Sequence, residues 1–241
     1  MMNPSLSTLP GEYQHFFSFT LQLRVLVWVP AICLTLAFCL TFFKWVGLFP
    51  GGYTAYSQNA WQALLGNFSS DPVCEPVLKL EQKIDKQIRT SWWLLPYLLM
   101  LFPAVLLTWF GHIVTRYRLV DRLPGFIRQV WPYRTQVLVA LTAGTLITLL
   151  LQSWAGFGLQ NGLKRGVEEE FAPRLAAAEV SVDQEKVRVE MARELHNYHS
   201  DTTFWLRLTI YAHLLAVFSI ALENWLVSRG EKPAPRLGMM W

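Results

Sequence analysis

Four apolar stretches constrain this chain more than any other feature. Each is nearly free of charge and long enough to cross about 30 Å of hydrocarbon at about 1.5 Å per helical residue. The first spans 23–49 and centres on VLVWVPAICLTLAFCLTFF. The second, 92–114, reads WWLLPYLLMLFPAVLLTWFGHIV, and the third, 135–157, reads TQVLVALTAGTLITLLLQSWAGF. The fourth, 204–227, reads FWLRLTIYAHLLAVFSIALENWLV and is the one with formal charges well inside its limits. Composition agrees with a bilayer as solvent. Charged residues are 16% of the chain against 53% hydrophobic, where a soluble surface needs about 25% charge. Several of the 11 tryptophans stand near block ends, as interfacial anchors do.

The expected fold class is therefore an all-α integral membrane protein with four transmembrane helices and two helical extensions on the non-cytoplasmic side. Its divisions are an N-terminal segment 1–22, an outer segment 50–91, a connection 115–134, an outer segment 158–203 and a tail 228–241, with the four spans between them. The start lacks a cationic region and a nearby cleavage site, so the first span is expected to be a retained signal anchor.

Orientation follows from basic residues in the connections. The stretch TRYRLVDRLPGFIRQVWPYR (115–134) holds Arg116, Arg118, Arg122, Arg128 and Arg134 against one acid, Asp121. The tail carries Arg229, Lys232 and Arg236 against Glu231. Four spans put both on one side, and both termini are expected to be cytoplasmic, in a bacterial inner membrane. Segment 158–203 has six basic residues diluted by nine acids, and 50–91 has four of each. The five arginines are expected to set topology and to bind anionic lipid head groups. Aromatic residues interleave with them, but a short loop tethered at both ends offers little surface for nucleic acid.

Both outer segments carry helical patterns. Val77, Leu80, Ile84 and Ile88 recur at helical spacing, in a helix expected to run into the second span at Trp92. Val167, Phe171, Leu175 and Ala178 form a second stripe, and Pro173 is expected to break or start a helix there. KVRVEM alternates like a strand, yet a helix from about 183 into the fourth span is preferred.

Few residues suggest chemistry. His196 and His199 are three apart, which places them on one helical face as a possible metal pair beside Glu194 and Asp201. Two histidines do not close a site, and a hydrated cap on the fourth span is the simpler account. His213 is the titratable group nearest the middle of that span. Asn224 lies eleven residues on, about three turns, so both are expected on a face that meets another helix as an intramembrane polar contact. Arg207 and Glu223 lie near the span ends, where they can snorkel. Ala140, Thr142, Gly144, Thr145 and Thr148 suit close helix packing with shared hydrogen bonds, inside the chain rather than in a homo-oligomer, which stays possible. Cys33 and Cys39 read as small buried hydrophobes, and Cys74 stands alone. GFGLQNG at 156–162 marks a turn at a span end.

No nucleotide-binding loop, hydrolase elbow or zinc-protease motif occurs, and no cofactor is expected. The expected role is a non-enzymatic subunit or accessory factor of an envelope assembly such as a secretion or conjugation apparatus, whose partners are other membrane proteins. An immunity or exclusion protein is the second reading. A small transporter or membrane enzyme subunit using the histidines is the third.

Overall fold

A computed structural model describes residues 26–50, 54–70, 87–178 and 181–228. The expectations for segment 1–22, Cys74, the helix over 77–86 and the cationic tail lie outside these residues. Among the described residues the chain is mostly helical, and three helices are long and apolar enough to cross a membrane.

Helix α1 (Leu26–Leu40) is shorter than the apolar block that contains it. Its fifteen described residues reach roughly 22 Å at 1.5 Å each. Tight turns at Thr41, Phe42 and Phe43 then end it, and the buried Trp45 indole N–H donates to the Leu40 carbonyl at 2.8 Å. The rest of the block is strand β1 (Val46–Leu48), buried at every residue. The expectation of one helix through residue 49 is corrected on this point: Trp45 satisfies a helix-end carbonyl that a longer helix would have used itself.

After β1 come β2 (Tyr56–Gln58), α2 (Ala60–Leu65) and β3 (Ser69–Ser70). Asn59 caps α2: its side chain accepts from the Gln62 N–H at 2.8 Å, and the Gln62 side chain accepts from the Asn59 N–H at 3.0 Å. Helix α3 (Leu94–Arg116) leads to a short helix α4 (Gly125–Val130), then α5 (Arg134–Ala155). Helices α6 (Gly158–Ala177) and α7 (Ser181–Asn197) follow, then β4 (Ser200–Thr202) and α8 (Phe204–Ser228). The spacing-of-four contacts of Val187, Met191 and Leu195 with the core hold KVRVEM helical rather than extended. Helix α6 runs through Pro173, because Pro173 and Glu169 are exposed and water can take the carbonyl that loses its N–H. No helix runs straight into α3: residues 88–93 are non-helical, and the Ser91 N–H donates to the Ala63 carbonyl.

The four strands form an antiparallel sheet in the order β3-β2-β1-β4, an addition to the all-helical expectation. Val46 pairs with Gln58 on one side and with Thr202 on the other. The strand that follows α1 thus bonds to the strand that precedes α8, and Gln58 and Ser91 accept from the first amides of α6, so segments 50–91 and 158–203 pack together.

Helix α5 is central, packed on α3 and α8. Helix α1 lies on α3 through aromatic rings: Trp28 stacks on His112 at 4.5 Å and meets Trp109 edge-on at 6.1 Å. The end of α1, the start of α3, the end of α5 and the start of α8 all meet at the sheet. Away from it, the helices expose Ile32, Leu99, Phe102, Ile147, Leu215 and Phe218, the surface a bilayer covers. Helix α6 buries Leu159, Leu163, Val167 and Phe171 with Gly158, Gly162 and Gly166. Each such apolar side chain contributes about 1.5–3 kcal/mol where water is the alternative.

Candidate functional site

The interior of the bundle is more polar than its lipid face. Thr142, Thr145, Thr148 and Gln152 of α5 are buried, as are Thr108 of α3 and Thr209, His213 and Ser219 of α8. The hydroxyls of Thr142, Thr148, Thr108 and Thr209 donate to carbonyls four residues back in their own helices, and Thr145 to one three back. This corrects the expectation that they bond across helices. A hydroxyl in a helix reaches its own preceding turn before it reaches a neighbour. Gly144 instead admits Met100 of α3, whose sulfur would lie 2.8 Å from an added Cβ, so this small residue serves contacts inside the chain.

His213 is fully buried. Its Nδ1 lies 2.8 Å from the Thr209 carbonyl, which accepts only, so Nδ1 carries the proton and Nε2 is a bare acceptor. Among the described residues Nε2 has no partner, and neither has the hydroxyl of Tyr97, also fully buried. The two rings are 5.6 Å apart between centroids, with Trp45 on the other side of Tyr97 at 5.8 Å. A buried donor and a buried acceptor, each unpartnered among the described residues, therefore belong to neighbouring rings. Neither Tyr97 nor Gln152 was singled out by sequence reasoning. A tyrosine one turn inside a span looks like an interfacial anchor until the fold closes over it.

Asn224 does not join His213. It is exposed. Spacing sets the angle around a helix, but a neighbour must also stand at the same height, and none among the described residues covers Asn224. Glu223 turns inward instead and is close enough to Arg134 for their charges to interact.

The five arginines behave in two ways. Arg116, Arg118, Arg122 and Arg128 are exposed. Arg134 is half-buried at the start of α5, with its guanidinium carbon 4.6 Å from the Trp131 ring centroid. Around the exposed four stand Tyr117, Phe126, Val130 and Tyr133, all exposed, so this end presents cations mixed with apolar surface. Arg118 ends α3 at φ 52, in the left-handed region, with the Leu119 N–H closing on the Val114 carbonyl.

His196 and His199 do not share a helical face. Helix α7 ends at Asn197, and His199 sits at φ 32 as the chain turns into β4. His199 packs near Phe49, 6.4 Å between centroids. Among the described residues, no three His, Cys, Asp or Glu side chains gather in a way that holds a metal ion. Cys33 is buried in α1, whereas Cys39 is exposed on its outer side, unlike the expectation for it.

The outer layer offers a different kind of site. Helix α7 packs back through Val187, Met191, Leu195 and then Tyr198, none fully buried. The Tyr198 hydroxyl donates to Glu194 at 3.0 Å, and burial together with that carboxylate pushes its pKa up to about 12. Arg174 pairs with Glu190 and lies over the Phe171 ring, tying α6 to α7. On the far side of α7, Val182 and Val189 are each 60% exposed and seven residues apart, on one face with Glu185 and Lys186. No family model, curated protein or solved structure matches the chain.

Proposed function

We propose that this protein is a non-enzymatic membrane subunit or accessory factor of a larger envelope assembly, of the kind that secretion or conjugation machines use. In this reading it lies in a bacterial inner membrane with the arginine end in the cytoplasm and the sheet outside. The exposed cations between two spans support that orientation.

One observation carries the reading: the α6–α7 hairpin presents Val182 and Val189 to water on a face of α7 that no neighbour among the described residues covers. A helix with apolar residues on two faces, one used within the chain and one unused, is suited to a second protein. The interior supports the same reading. His213 faces Tyr97 and has no buried carboxylate as a relay partner among the described residues, while Glu223 is occupied with Arg134.

The test is purification of the full chain from its native membrane in a mild detergent, followed by mass measurement. The wild type is expected in a discrete complex of fixed stoichiometry. The pair Val182→Asp and Val189→Asp is expected to release it as a folded monomer, since neither side chain is buried. A wild type that runs alone, or a complex indifferent to both changes, counts against the proposal.

A further inference from the structure

A cleft of about 300 Å³ opens where the starts of α3 and α6 meet the end of α5. Arg89 and Arg165 line it, with no carboxylate among the described residues that do so. Terminal nitrogen Nη1 of Arg165 is buried and donates to nothing. Gln152, 2% exposed, lines the same cleft. Its Nε2 donates to the Gly156 carbonyl at 2.7 Å, which leaves its Oε1 without a donor. The Ser91 hydroxyl, 5% exposed, accepts from the Gly158 N–H at 3.0 Å and keeps its own proton to give. Buried polar atoms are almost always partnered, so two atoms orphaned among the described residues, on two side chains that line one cleft, point to a ligand that supplies both an acceptor and a donor.

The place narrows the ligand. Trp92 lines the cleft and is 72% exposed, at the start of a membrane-length helix, and Trp154 beside it is 86% exposed. Exposed indoles at a span end lie at the level of lipid head groups. The space is roughly ten water volumes, enough for a head group and too little for acyl chains.

We propose that this cleft binds the phosphodiester head group of an anionic, hydroxylated lipid of the phosphatidylglycerol kind. Arg165 and Arg89 hold the phosphate oxygens through charge-assisted hydrogen bonds. A head-group hydroxyl donates to Gln152 Oε1. Choline has no donor for that oxygen. Ethanolamine has one, but its charge would leave a neutral head group facing two guanidinium groups. The proposal concerns the sheet end, opposite the arginine-rich connection, and stands apart from any role of the hairpin.

Native mass spectrometry of the full chain, delipidated in mild detergent, tests it, with a thermal-unfolding shift read in parallel. The probes are phosphatidylglycerol, phosphatidylcholine and inorganic phosphate. Phosphatidylglycerol is expected to bind at least tenfold more tightly than phosphatidylcholine and to raise the unfolding temperature, and inorganic phosphate to leave it unchanged. Arg165→Gln is expected to weaken phosphatidylglycerol at least tenfold, and Arg89→Gln by a smaller factor in the same direction. Gln152→Leu is expected to keep binding while losing the preference for the glycerol head group. The arginine end is identical in all variants, so the differences report the cleft alone. Arg89 is exposed, so its variant keeps the test valid if Arg165→Gln does not fold. Equal binding of the two lipids, an unchanged Arg89→Gln, or an inorganic-phosphate shift equal to the lipid's would each overturn the assignment.

Discussion

The two ends of the helix bundle solve the same problem in opposite ways. At the sheet end, each membrane-length helix and α1 meets a hydrogen bond or contact from another element. Trp45 closes α1, the Ala60 N–H donates to the Thr41 carbonyl, and the Thr203 N–H donates to the Trp45 carbonyl. The Gly158 and Leu159 amides donate to Ser91 and Gln58, which lie 67 and 101 residues away in sequence. At the arginine end the chain stays local. Its turns bond within a few residues, and four of its arginines, with Tyr117, Phe126 and Tyr133, face outward, while Arg134 and Trp131 turn toward the helices. One end is completed by protein and the other is left for head groups and water. Damage should therefore be costly at the first and mild at the second.

The sharpest way to break that comparison is Trp45→Ala. The side chain is fully buried, contacts Tyr97 and Phe157, and caps α1. A loss of about 3–5 kcal/mol is expected from denaturant unfolding in detergent. A loss below about 1 kcal/mol would mean that this end is not a packed layer. Next is Gly158→Ala. An added Cβ would lie 2.4 Å from the Arg89 carbonyl oxygen, which is backbone and cannot swing aside. About 2–3 kcal/mol is expected, with the thermal midpoint as the readout.

Tyr198→Phe is expected to cost about 1 kcal/mol at pH 8, the worth of its bond to Glu194. The sign with pH is definite. A tyrosine whose pKa rises from 10.0 to about 12 on folding holds its proton more tightly in the native state. Its contribution is complete below about pH 10 and declines as pH climbs to about 12. Wild type and variant should therefore converge in that window when unfolded side by side, and a gap that widens there would contradict the assignment.

At the arginine end, Arg118→Gly is expected to stabilise by about 0.5–1 kcal/mol, because φ 52 strains any residue with a Cβ. Arg122→Gln with Arg128→Gln should change stability by less than about 0.5 kcal/mol. A large loss from that pair would show that the exposed cations hold the fold together, which their exposure argues against.

Three of the four apolar blocks appear in the structure as helices of membrane length, and a helix from about residue 183 and the stripe of Val167 and Phe171 were also readable. The glycines at 156 and 158 were visible as a turn. The function of Gly158 in admitting the Arg89 backbone was not, because nothing local links residue 158 to residue 89. His213 was legible as a buried polar group, whereas its neighbour Tyr97 was not. Asn224 misled because a helical wheel records angle and omits height. Arg165 and Gln152 stood out in no pattern: one is a charged residue in a charged segment, and the other lies in the last turns of a span.

The sequence alone determined where the chain is apolar enough to cross a membrane, where its cations gather and which outer stretches are amphipathic. These are sums over neighbouring residues, and hydropathy and helical period are local quantities. Only the tertiary structure decided where the first block stops being helix, which polar side chains of a span turn inward, and that residue 46 pairs with residue 202. Strand pairing and burial depend on what stands opposite, and that partner comes from a distant part of the chain.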